Sequence, residues 1–296
     1  MNRVKKIAGL FAPSGSEDAV RKFCMRYQGE LQAETDGCGN LIFHRPGSGK
    51  RIAYVCGMDE RGIFLSHEEK QGVFRYTTLG NFDTESLNNR QIRFEGGSIG
   101  IVQKDFVSIM SGNVQIGESG AVYGDITETE KTLIGFGCAR AICCEILLQL
   151  TEKESEDDLW FVFSSLYQMG KKGALVALSC IKPELAFFIE PVSTEKREES
   201  SPVFLNKGPV LKLRDGAFMD FLHLSDFMEE SKLPFQFYVS SEAEIMGKSP
   251  MIFGVLSVVI GIPFESDRYF KQTVENKVIQ QTIDLIDEIK EKWMNL

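Results

Sequence analysis

Histidine is scarce: His44, His67 and His223 are the only three in 296 residues, a thin supply for any centre built on imidazole ligands. No apolar run reaches the roughly 18 residues that a membrane-spanning helix needs, and the apolar stretch after Met1 is too short for a secretory leader. A cytoplasmic protein without a membrane partner is expected. Basic residues are outnumbered, 33 Lys and Arg against 42 Asp and Glu, and nowhere gather with aromatics, so nucleic acid is excluded as an expected partner. The seven cysteines (Cys24, Cys38, Cys56, Cys138, Cys143, Cys144, Cys180) show no C-x-x-C spacing and read as reduced, mostly buried thiols rather than as a disulfide framework. Internal repeats and low-complexity tracts are absent as well.

What is present suits a large buried core, with 43% hydrophobic and 25% charged residues. Ser14 and Glu17 fit a capping box, and Val20, Phe23, Cys24 and Tyr27 then recur on one helical face. A Gly-rich turn at Asp36–Asn40 leads to a strand, Leu41–His44. The apolar run Arg51–Val55 reads as a buried strand that ends in Cys56-Gly57-Met58-Asp59-Glu60; a strand running into Gly and acids marks the working edge of an α/β sheet. From 63 to 131 short β-rich pieces, such as Gly72–Tyr76 and Gln91–Phe94, alternate with Gly, Asn and Asp turns. Helical period returns at Gly137–Leu150, apolar nearly all round, and again as amphipathic helices over Phe218–Lys232 and Thr273–Met294. Between them lie strand-like runs at Leu159–Ser165, Ala186–Ile189, Val210–Leu213, Phe235–Val239 and Val255–Ile262. This order predicts an α/β protein: a three-layer αβα domain, residues 1–62 and 132–296, interrupted at 63–131 by a small all-β insertion.

Several of these landmarks have a familiar order. Pro13-Ser14-Gly15, Asp36 through Gly39-Asn40, Met58-Asp59-Glu60 with Gly62, Arg140, the Gly170/Gly173/Ala174 set and Arg268-Tyr269 together resemble the glutamyl-aminopeptidase, or tetrahedral aminopeptidase, family of di-zinc exopeptidases over nearly the whole chain. The resemblance implies the zinc-exopeptidase fold, an inserted barrel that helps subunits pair, and two zinc or cobalt ions with a glutamate as general base. At the matched positions the sequence departs from that pattern. Gly57 stands where the family has a zinc-ligating histidine, and Asp59 where it has the carboxylate that orients that histidine. Cys138, two residues before Arg140, replaces the bridging aspartate; Tyr167 and Gln168 replace the two consecutive glutamates; Lys271 replaces the last histidine. Glu190 keeps a ligand carboxylate, and Ser240–Ala243 echoes the substrate turn.

A two-metal hydrolase needs a bridging carboxylate, further ligands and a free base for the attacking water. The expectation is therefore a family homologue without peptidase activity and without a cofactor, in a structural, regulatory or peptide- or amino-acid-binding role. It would assemble with itself or with an active relative. The alternative is an active aminopeptidase with a rearranged or single-metal site. The expected remnant pocket comprises Gly57, Asp59, Cys138, Arg140, Tyr167, Gln168, Glu190 and Lys271, with the Lys271 ammonium paired to Glu190 or Asp59 in place of metal. Cys138, at a helix start, is the candidate for a covalent alternative, and the three histidines read as ordinary surface or hydrogen-bonded residues.

Overall fold

The computed structural model describes residues 1–195, 202–213, 227, 230–239, 254–267 and 270–295. Its strands are β1 (Gln32–Thr35), β2 (Leu41–Arg45), β3 (Arg51–Gly57), β4 (Gly62–Lys70), β5 (Val73–Leu79), β6 (Gln91–Phe94), β7 (Ile99–Gln103), β8 (Phe106–Ser111), β9 (Ser119–Val122), β10 (Thr127–Glu128), β11 (Thr132–Gly135), β12 (Asp158–Ser164), β13 (Leu185–Ser193), β14 (Val210–Lys212), β15 (Gln236–Tyr238), β16 (Leu256–Ser266) and β17 (Gln272–Glu275). The helices are α1 (Asn2–Ala8), α2 (Asp18–Met25), α3 (Cys138–Thr151), α4 (Lys172–Ile181) and α5 (Val278–Met294).

Strand β3 shows why the layers form. Ile52, Tyr54 and Cys56 face one core with α1, α2, α3 and α5, whereas Ala53 and Val55 face a second core with Ala174, Ala177 and Leu178 of α4. Successive side chains of a strand point to opposite faces, so an unbroken apolar run demands cover on both. The neighbours β12, β13 and β16 do the same, and β12, β3, β13 and β16 run parallel. They are the centre of an 11-stranded mixed sheet ordered β1-β2-β12-β3-β13-β16-β17-β11-β10, with β14 beside β16 and β15 beside β14. Helix α3 is buried along nearly its whole length, as its apolar circumference requires.

The insertion closes on itself as a six-stranded barrel, β4-β5-β8-β7-β6-β9, around Ile63, Leu65, Phe74, Ile92, Phe94, Val102 and Val107. The fold is thus the α/β sandwich with a β barrel read from the sequence. All seven cysteines are free, five of them buried. Among the described residues no helix is long and apolar enough to cross a membrane.

Two local readings need correction. Ser14 and Glu17 form no capping box: Glu17 precedes α2 without a side-chain cap, Ser14 Oγ donates to Asp59, and Glu17 Oε1 accepts from the backbone N–H groups of Gly15 and Leu166. The C-terminal helix starts at Val278 rather than Thr273, because Gln272–Glu275 pairs in register with β11. His67 lies exposed on β4, and His44 bonds Asp158 through Nε2 at 2.6 Å while stacking on Trp160. His223, most of the helix expected over 218–232, the 240–243 turn and Arg268-Tyr269 lie outside the described residues.

Candidate functional site

The site lies beyond the carboxyl ends of the parallel strands, where this sheet class keeps its ligands. A cleft of about 980 Å³ opens there between the main sheet and the barrel. Asp59, Arg140, Tyr167, Gln168 and Glu190 line it together with Lys171 and Lys212; Gly57, Cys138 and Lys271 do not reach its wall.

Glu190 is the electrostatic centre. Its Oε2 accepts from the Tyr167 hydroxyl at 2.8 Å and meets Lys171 Nζ at 2.8 Å, and its Oε1 accepts from Lys212 Nζ at 2.9 Å. Burial alone would raise the carboxyl pKa, but the two ammonium groups outweigh it and hold Glu190 well below the usual carboxylate range. The hydroxyl of Tyr167 is driven the other way, by burial first and then by the Glu190 charge, so it serves as a proton donor to the carboxylate. The chain delivers these groups through the β12–α4 loop, whose backbone turns left-handed at Leu166, Gly170 and Lys171 (φ +50°, +88° and +58°). Lys212 arrives from β14, which lies antiparallel to β16.

The absent side chain of Gly57 has a structural counterpart. A Cβ there would stand 2.8 Å from both Cβ and Cγ of Tyr167, so the tyrosine ring fills the volume that a side chain at 57 would take. Asp59, almost fully buried, accepts from Ser14 Oγ and from the Gln168 backbone N–H, both on Oδ2, while its buried Oδ1 has no hydrogen-bond partner. Burial pushes its pKa up to about 7. Arg140 is an architectural clamp: Nη1 donates to the Met58 carbonyl and Nη2 to the Ile7 carbonyl, fastening the end of α1 to the strand end that carries Asp59.

The expected charge pairing is corrected here, and the covalent alternative at Cys138 finds no support. The cations on Glu190 are Lys171 and Lys212, not Lys271, which is exposed and whose backbone N–H closes a tight turn on Asp267. Cys138 is buried, and burial raises its thiol to about 12, so the thiolate needed for covalent chemistry is suppressed. Sequence reasoning missed Lys171 and Lys212. The signal for the first was available, since Lys171 directly follows Gly170 in the glycine motif; nothing in the run Val210–Leu213 marked Lys212.

The donor set can be tested against a pair of dications. Glu190 is already held by two ammonium groups and a hydroxyl, Tyr167 and Gln168 offer no carboxylate, and Gly57 offers no donor. Among the described residues no group of three or more His, Cys, Asp or Glu side chains is placed to hold a metal ion. These residues do not fit a two-metal centre.

Residues 109–285, more than half of the chain, match the M42 glutamyl aminopeptidase family. The chain belongs to that family. Among its relatives, a putative aminopeptidase of Acetivibrio thermocellus is 25% identical over 92% of both chains, and the lysyl aminopeptidase of Pyrococcus furiosus is 24% identical over 88% of both. The TET1 peptidase of Pyrococcus horikoshii shares the fold at 19% identity and a TM-score of 0.81, over 97% of this chain and 98% of its own. Membership overturns one expectation. M42 family aminopeptidases are metal-dependent, so the reading of a chain to which no cofactor belongs is withdrawn.

Proposed function

We propose that this M42 family member binds a short peptide or amino acid in its cleft without hydrolysing it. The observation that carries the reading is the engagement of Glu190. Both oxygens of this ligand carboxylate are already engaged, by Lys171 and the Tyr167 hydroxyl on one and by Lys212 on the other. Asp59, the other buried carboxylate that lines the cleft, faces Ser14 and the backbone rather than a water-activating partner. Tyr167 and Gln168 stand at the positions of the family's consecutive glutamates, and neither is a base at neutral pH. The cleft itself has the volume of a ligand site.

The test is hydrolysis of a panel of aminoacyl-anilides after incubation with zinc, cobalt or manganese, with metal content measured on the same sample. No turnover is expected with any substrate. Turnover that rises with bound metal would overturn the reading in favour of an aminopeptidase with a rearranged site, which the activities named for its relatives would fit.

Self-association belongs to the same proposal. The Pyrococcus horikoshii peptidase that shares this fold can assemble into a tetrahedron or a large octahedral shell. On this chain the 63–131 barrel, with Phe64, Met110 and Ile116 exposed, is the unit proposed to carry such contacts, either between copies or with an active relative. Light scattering of the purified protein should give a mass several times that of one chain; a strict monomer would rule this out.

A further inference from the structure

Lys171 is a costly residue to place where it is. Its backbone is left-handed at φ +58°, ψ +27°, a conformation that glycine adopts freely and a lysine adopts only against strain. The adjacent Gly170, at φ +88°, already provides the sharp turn. Its side chain is then buried to nine-tenths, over the rings of Tyr167 and Phe188, with the ammonium on the cleft floor. Strain of this kind persists where the surroundings impose it and tends to mark sites that hold a ligand.

The ammonium is also incompletely used. It has three N–H donors, and among the described residues Glu190 Oε2 is its single acceptor. Lys212 adds a second cation on the far oxygen of Glu190, so two buried ammonium groups share one carboxylate and the cluster carries an excess positive charge. Tyr167 and Phe188 present ring faces to the ammonium, and Lys171 lines the cleft, so a further acceptor would enter from there. A cation at the floor of a deep cleft is met most directly by the end of an entering chain.

We propose that Lys171 holds the terminal carboxylate of a free amino acid or short peptide bound in the cleft. The inference rests on the binding role proposed above and adds the ligand's polarity: the carboxyl end lies innermost, against the Lys171–Glu190–Lys212 cluster.

Titration calorimetry with trialanine, trialanine amide and Ala-Glu-Ala amide tests this on the intact protein. The free acid should bind at least about tenfold more tightly than its amide, the usual weight of one charge-assisted hydrogen bond in a buried site. Lys171→Asn, whose side chain tolerates the left-handed backbone, should abolish that preference, and Lys171→Arg should restore much of it. Equal affinity for acid and amide would overturn the proposal while leaving a binding role intact. Binding of Ala-Glu-Ala amide as tightly as trialanine would also overturn it, by assigning the cation to an acidic side chain. Hydrolysis of any of the three, read by mass spectrometry in the same cell, would instead bring down the non-hydrolytic reading. Should Lys171→Asn fail to fold, the wild-type comparison of acid with amide still decides.

Discussion

Replacing Asp59 by asparagine should make the protein increasingly more stable than wild type as pH rises. Burial outweighs the hydrogen bonds from Ser14 and Gln168 and lifts this carboxyl from 3.8 to about 7. The sign follows from which state holds the proton. Between these two values the unfolded chain has already ionised Asp59 while the folded chain still keeps it protonated, so folding becomes less favourable with each step in pH. At 1.36 kcal/mol per unit, a gap of about three units amounts to a loss on the order of 4 kcal/mol at pH 7 and above, and to almost nothing near pH 3. Asparagine keeps an oxygen for Ser14 and the Gln168 N–H but cannot ionise, and so escapes the loss. Its amide nitrogen takes the position of the unpartnered Oδ1, a penalty of about 1–3 kcal/mol that is the same at every pH. Urea unfolding of both proteins from about pH 4 to pH 8.5 separates the two effects, because only the ionisation changes the slope. The stability difference should move in favour of asparagine up to about pH 7 and then level off. A difference independent of pH, or one moving toward wild type as pH rises, would refute the assignment of a raised pKa to Asp59.

Glu190→Gln leaves two buried ammonium groups without a counter-charge and should destabilise the fold by about 3–5 kcal/mol, read as a large fall in melting temperature. Since the folded pKa of Glu190 is depressed, its contribution should be complete above the ordinary carboxylate pKa of about 4.3 and shrink below it; a wild-type advantage that persists unchanged in acid would contradict the ion-pair account. Gly57→Ala forces a Cβ to 2.8 Å from Tyr167 and should cost about 1–3 kcal/mol in chemical denaturation, a cost that should largely vanish when the same substitution is made in a Tyr167→Gly background. In the native protein iodoacetamide should label exposed Cys180 long before buried Cys138, as peptide mapping over time would show; early labelling of Cys138 would reopen it as a nucleophile.

Much of the fold could be read in the sequence because it is dictated by one-dimensional patterns. The unbroken apolar run of β3 and the all-round apolar face of α3 require cover, and the Gly- and Asn-punctuated short strands between them can close only among themselves. Reading failed where a tertiary partner overrode a local preference. Ser14 and Glu17 have the spacing of a cap, yet Asp59 and the backbone of Leu166 compete for their side chains and win. Thr273 and Val274 extend a helical pattern, but β11 offers them a ladder, and hydrogen bonding to a neighbouring strand displaces the helix to Val278.

The candidate site divides along the same line. The sequence by itself determined which chemistry has little material here: three histidines in all, glycine at 57, and tyrosine and glutamine at 167 and 168. Only the tertiary structure decided what stands in the cleft instead. Lys171 and Lys212 lie on either side of Glu190 in the chain; the glycine motif marks the position of the first, but nothing in the sequence aims either ammonium at Glu190. A left-handed turn after Gly170 swings the first inward, and the pairing of β14 with β16 sets the second on the opposite oxygen. Lys271, equally charged and closer to the family motif, is carried outward by its turn on Asp267. A buried carboxylate must be neutralised by some cation; which one does so depends on the path of the backbone, and that path is fixed by contacts between segments remote in sequence.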